Sequence, residues 1–151
     1  MDRNDALSIL LVEDNPDHAE LTLRALDTGS LINRVFWVKD GEEALDFLCH
    51  RGRYANGAQA PRPALILLDI KLPKLDGHEV LRQIKGDERL RSIPVVMLTT
   101  SDRGDEVKEC YAAGANSFVT KPLRFAEFVE RIRAVKLYWM LTSQLPEAEQ
   151  A

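Results

Sequence analysis

The sequence predicts a doubly wound α/β sandwich, a five-stranded parallel sheet with helices on both faces. Two observations predict it. Five short runs of β-branched or leucine-rich residues alternate with segments whose apolar residues recur at steps of three and four. The first and third runs, around Ile9–Val12 and Leu65–Leu68, are also apolar without interruption. A strand with one wet face alternates apolar and polar residues, whereas uninterrupted apolarity belongs to a parallel strand covered on both faces.

The predicted strands are Ser8–Val12, Arg34–Val38, Ala64–Leu68, Val95–Leu98 and Ser117–Thr120. Helical spacing lies between and after them: Ala19/Leu23/Leu26, Ala44/Leu45/Leu48, Val80/Leu81/Ile84, Val107/Cys110/Tyr111, and a longer last helix through Phe125/Phe128/Ile132/Val135/Trp139. Gly41 opens the second helix, and Gly114 has the look of a C-cap on the fourth. Trp37, on a strand, reads as core or helix-facing surface. His50–Pro63 carries Gly, Ala and Pro and exceeds the two to six residues of an ordinary αβ connection, so it reads as a surface loop. Pro146–Ala151 is polar and reads as a frayed end.

At 151 residues the chain has the length of one domain. The expected layout is an N-terminal segment 1–7, a folded body 8–143 and a polar tail 144–151. The formal charge of -4, with no basic run, argues against a nucleic-acid partner. Its longest apolar runs, Ala64–Leu68 and Leu137–Leu141, fall far short of the roughly 20 residues that span a bilayer. Nor does the N-terminus MDRND resemble a secretory signal, so a cytoplasmic location without membrane attachment is expected. Cys49 and Cys110 have no metal or redox spacing and read as buried thiols. His18, His50 and His78 lack ligand spacing and read as surface or loop residues.

In such a sheet, ligands bind beyond the carboxyl ends of the strands. Glu13 and Asp14 follow the first strand, Asp69 the third, Thr99 the fourth, and Lys121 with Pro122 the fifth. Three carboxylates brought together repel one another, and one ammonium cannot balance them. A small hard dication with oxygen ligands restores the balance, and Mg2+ fits best. Asp14 and Asp69 would bind it directly, a backbone carbonyl after Asp69 would add a ligand, and Glu13 would hold its waters. Asp69 then suits nucleophilic attack on phosphorus, with Lys121 and Thr99 holding phosphoryl oxygens.

These residues sit in four segments, ILLVEDN (Ile9–Asn15), LLDIKLPKLDG (Leu67–Gly77), PVVMLTTS (Pro94–Ser101) and AGANSFVTKP (Ala113–Pro122). Together they resemble the CheY-like receiver domain of bacterial response regulators. The resemblance implies a flavodoxin-like strand order 2-1-3-4-5, with body 8–143 as the receiver domain. It implies Asp69 as phosphoacceptor, Glu13 and Asp14 as the acidic pair for Mg2+, Lys71 as the backbone-carbonyl ligand and a cis peptide before Pro122. Thr99 would be the switch hydroxyl, Lys121 the phosphoryl-binding lysine, and Phe118 the switching aromatic, here without a tyrosine hydroxyl. Lys71 and Ser101 stand where side chains neighbour the attacking water.

Such a protein is regulatory rather than an enzyme, although it assists its own phosphorylation and dephosphorylation. The last helix, the 51–63 insertion and the LLDIKLPKLDG wording resemble the small regulators partnering phytochrome-type kinases. The implied donor is therefore a phosphohistidine on a sensor histidine kinase, with a bacteriophytochrome as the candidate. The alternative is a phosphorelay shuttle that passes the group to a histidine phosphotransfer protein. A haloacid-dehalogenase-type phosphatase needs its nucleophile after the first strand and a second Asp where Lys71 stands. A dinucleotide-binding domain needs a glycine-rich turn where Glu13-Asp14-Asn15-Pro16-Asp17 stands. A scaffold-only receiver would lack a site residue, and none is missing. Finally, Phe125, Phe128, Ile132, Val135 and Trp139 form a stripe with two explanations: the helix folds over its own domain, or it makes a symmetric homodimer.

Overall fold

The computed structural model describes residues 7–27, 33–57, 59–99, 104–121 and 125–150, with backbone alone for residues 7, 33, 105, 125 and 139–150. Five strands, β1 (Leu7–Val12), β2 (Asn33–Val38), β3 (Leu65–Asp69), β4 (Val95–Thr99) and β5 (Ser117–Thr120), form one sheet in the order β2-β1-β3-β4-β5. Every neighbouring pair is parallel. The helices are α1 (Pro16–Leu26), α2 (Gly41–Cys49), α3 (Gly77–Gly86), α4 (Gly104–Ala112) and α5 (Phe125–Gln150). Strand ends fall within one residue of those predicted, and the fold is the doubly wound α/β sandwich expected.

The two faces divide the core. Leu10, Val12, Ile66, Leu68, Val95 and Met97 point to the side covered by α2 and α3, together with Cys110 of α4. Their alternates Ile9, Leu11, Leu65, Leu67, Val96 and Leu98 point to the side covered by Ala19 and Leu26 of α1 and Phe128 and Ile132 of α5. Leu65–Leu68 of β3 are fully buried, as an uninterrupted apolar run between two helical layers requires.

Helix starts are set by side-chain caps. Asn15 Oδ1 accepts the Asp17 and His18 amides at 2.9 and 3.2 Å, with Pro16 in the first turn of α1. Asp40 and Asp76 cap α2 and α3 in the same way, through the amides of Glu43 and Glu79. Gly77 packs so closely under the end of β3 that an added Cβ would run into the Asp69 carbonyl oxygen. Gly114, with φ +106°, follows α4 where only glycine turns freely.

The 50–63 connection runs mostly over the surface, as expected, but it is pinned to the domain. A 3-10 turn, Gly52–Tyr54, sets the Tyr54 ring edge-on to Phe47 at 5.1 Å, and Ala60 is buried. Cys110 is buried and Cys49 half-buried, both as free thiols. Helix α5 continues to Gln150, through the stretch read from sequence as a polar tail. Among the described residues, no helix is long and apolar enough to cross a membrane.

Two residues expected on a dimer seam lie instead in the protein's own core. Phe128 is 5% exposed and Ile132 fully buried, both against the protein's own sheet, and Val135 packs partly against the same cluster. The helix therefore spends Phe128, Ile132 and part of Val135 on its own domain, because α5 lies beside α1 over one sheet face. The Phe125 and Trp139 side chains lie outside the described residues.

Candidate functional site

Because all strands are parallel, their carboxyl ends meet at one edge of the sheet, and the backbone just beyond them is held by hydrogen bonds. The Glu13 amide donates to the Val38 carbonyl at 3.1 Å, and Trp37 Nε1 donates to the Glu13 carbonyl at 2.7 Å. The Lys121 amide donates to the Thr99 carbonyl at 2.6 Å. Strand alternation then places Glu13, Asp69 and Lys121 in phase with Leu11, Leu67 and Val119, toward α1 and α5. Thr99 is in phase with Met97, toward α3 and α4.

At this edge lies an open cleft of about 210 Å³, lined by Glu13, Asp14, Asn15, His18, Asp69, Lys71, Thr99 and Lys121. Carboxylate oxygens of Glu13, Asp14 and Asp69 all lie within 4.8 Å of one another. Glu13 is fully buried and Asp69 nearly so, while Asp14 is exposed at the mouth. The Lys121 ammonium donates to Glu13 Oε1 at 2.6 Å and to Asp69 Oδ2 at 3.3 Å. Asp69 Oδ1 accepts the Lys71 amide at 3.3 Å, so both oxygens of this carboxylate are aimed.

Among the described residues the electrostatics are unbalanced, with three carboxylates facing one ammonium. Burial pushes the Glu13 carboxyl up to about 7, and hydrogen bonding with Asp69 and its charge push the same way, against the pull of Lys121. A proton on Glu13 relieves the repulsion, and a bound cation would relieve it instead, releasing that proton. An all-oxygen donor set open on one side suits a hard dication that keeps water ligands.

Every residue expected in the chemistry, Glu13, Asp14, Asp69, Lys71, Thr99 and Lys121, lines the one cleft. Phe118 is half-buried and packs on the α2/α3 side, in register with Met97 and so on the sheet face of Thr99. Ser101 and Pro122, with the expected cis peptide, lie outside the described residues.

His18, read from sequence as a surface or loop residue, is part-exposed and also lines the site, its Nδ1 3.1 Å from Lys121 Nζ and 4.0 Å from Glu13 Oε2. A signal for it existed: it lies three residues past the α1 cap, in the helical turn that starts beside the strand ends. Its partner stands 103 positions away in the chain, so the pairing itself had no local mark.

Comparison with known proteins agrees with this arrangement. Residues 9–133 match the response regulator receiver domain. The probable methanogenesis regulatory protein FilR2 of Methanothrix harundinacea is 43% identical over 146 residues, covering 97% of this chain and 92% of that protein. Response regulator Rcp1 of Synechocystis sp. is 39% identical over 140 residues, covering 93% of each. The Mn(2+)-bound structure of Rcp1 superposes with a TM-score of 0.81 at 38% identity, over 88% of this chain and 94% of that one. The phosphorylated cyanobacterial phytochrome response regulator RcpA superposes with a TM-score of 0.84 at 39% identity, over 91% of this chain and 96% of that one. With the strand order, the acidic cleft and a match over most of its length in agreement, the chain belongs to the response regulator receiver domain family.

Proposed function

We propose that this receiver is a phosphorylation switch of a two-component system, in which Asp69 accepts a phosphoryl group from a phosphohistidine on a sensor histidine kinase. The observation that carries the reading is the setting of Asp69. One of its oxygens faces the Lys121 ammonium, the other the Lys71 amide, and the cleft above opens to solvent. In the transfer, an Asp69 oxygen forms a bond to phosphorus as the P–N bond of the phosphohistidine breaks. The imidazole leaves with the electron pair and takes up a proton. Lys121 neutralises charge on a transferring oxygen, and the Thr99 hydroxyl donates to another.

Glu13, Asp14, Asp69 and the Lys71 carbonyl would hold Mg2+, the three carboxylates by the fit of their clustered oxygens. When bound, the dication supplies charge neutralisation for the phosphoryl oxygens. The manganese-bound Rcp1 structure supports a divalent ion at such a site. Phe118, on the sheet face of Thr99, carries the change outward as Thr99 moves toward the phosphoryl group.

The kinase is proposed to be of the phytochrome type, on the similarity to RcpA. FilR2, a probable methanogenesis regulatory protein, is comparably similar, so the kinase class rests on the structural likeness to RcpA rather than on identity alone. The receiver unit is taken as 8–143, with 144–151 appended. A homodimer is proposed through the middle of α5, where Leu137 and Tyr138 are 50% and 61% exposed.

Incubation with acetyl phosphate and Mg2+, read by intact-protein mass, tests the switch. One phosphoryl adduct is expected for the wild type, lost on chelation of Mg2+ and absent from Asp69→Asn. No adduct, under conditions that modify a known receiver, would overturn the reading.

A further inference from the structure

The Lys121 ammonium has three hydrogens and no lone pair, and among the described residues three acceptors surround it. They are Glu13 Oε1 at 2.6 Å, His18 Nδ1 at 3.1 Å and Asp69 Oδ2 at 3.3 Å. Two of these fix the direction of the third. With hydrogens committed to Glu13 and His18, the remaining N–H is aimed at Asp69, the shortest bond being to the carboxylate that does not react. A lysine stem has four flexible carbons, so a single anchor at Glu13 would leave the head free to rotate.

The backbone that carries the imidazole is itself held in place. Asn15 Oδ1 accepts the His18 amide at 3.2 Å, and Thr22 Oγ1 donates to the His18 carbonyl at 2.9 Å from the next turn of α1. Thr22 is fully buried, which ties this turn to the core. The ring thus comes from a helix start that its own cap and a buried hydroxyl define.

We propose that His18 is a positioning residue for phosphoryl transfer, acting as the third acceptor that aims the Lys121 ammonium at Asp69. The inference rests on the reading of Asp69 as phosphoacceptor. Since an ammonium only donates, Nδ1 must present its lone pair, and the neutral ring carries its hydrogen on Nε2.

The test uses His18→Leu, which removes the acceptor, and His18→Asn, whose Oδ1 stands at the same branch position as Nδ1. Circular dichroism and the thermal midpoint establish that both fold. With acetyl phosphate and Mg2+, His18→Leu is expected to form the Asp69 adduct about three- to tenfold more slowly, and His18→Asn to recover to within about twofold of wild type. Nitrogen NMR of the imidazole supplies a signature that mere packing would not give. The Nε2–H tautomer is expected in the wild type, with the Nδ1 resonance shifted in Lys121→Met.

Equal rates for wild type and His18→Leu, equal slowing of both variants, or an Nδ1–H tautomer would overturn the role of His18 while leaving the switch intact. A wild type that takes no phosphoryl group would overturn the switch, and this role with it.

Discussion

Tyr54 shows how one hydroxyl ties an insertion to the domain. Its ring packs on Phe47, and its hydroxyl donates to Glu43 Oε2 at 2.7 Å. Burial first, and then the bond to the Glu43 carboxylate, push the phenol from 10.0 up to about 12. The folded protein therefore keeps a proton that the unfolded chain loses, so the contribution is full below pH 10 and is lost as pH rises through 10 to 12. Tyr54→Phe is expected to cost about 1 kcal/mol at neutral pH and to flatten the alkaline loss of stability, read as denaturation midpoints across pH. An unchanged alkaline slope would remove Tyr54 from that role. None of this was legible in the residues 50–63, whose composition marks a loop without saying which ring turns inward.

Among the elements, α5 is the one whose role changed most between sequence and structure. Its apolar stripe was plain, but a stripe does not name the surface that covers it, and part of the cover is the protein's own sheet. A second tie is Lys136, 3% exposed, whose ammonium donates to the Leu26 carbonyl at 2.7 Å in the last turn of α1. A cation there answers the negative end of the helix, although burial holds its pKa below the usual lysine value. Lys136→Met keeps the stem and removes the charge-assisted bond. It is expected to destabilise by about 1–2 kcal/mol, read as a lower urea midpoint with unchanged slope. A Met variant of equal stability would mean that desolvating the ammonium cancels the bond. A lysine in an amphipathic helix reads as a solvent residue, so only the α1–α5 packing reveals it.

At the scale of the molecule, the sheet separates its tasks by face. Glu13, Asp69 and Lys121 extend the α1/α5 side, whereas Thr99 and Phe118 belong to the opposite side, so the cleft joins groups from both faces of the sheet and the proposed switch would couple them through β4 and β5. The proposed dimer belongs to this scale as well, because Leu137 and Tyr138, five and six positions past the buried Ile132, are exposed. Light scattering is expected to give twice the chain mass for the wild type and the monomer mass for Leu137→Glu with Tyr138→Glu. A monomeric wild type, with or without phosphorylation, would end the dimer reading.

The sequence by itself determined the layered fold and most of the site. Uninterrupted apolar strands can only be buried between two helical layers, and residues directly after parallel strands must meet at one edge. Glu13, Asp14, Asp69, Thr99 and Lys121 were legible for that reason. Tertiary structure alone decided that His18 faces Lys121, that Lys136 is buried against α1, and that Phe128 and Ile132 are spent on the protein's own core. Each of these joins residues about a hundred positions apart or assigns a helix face to one neighbour rather than another. Local periodicity carries no record of such choices.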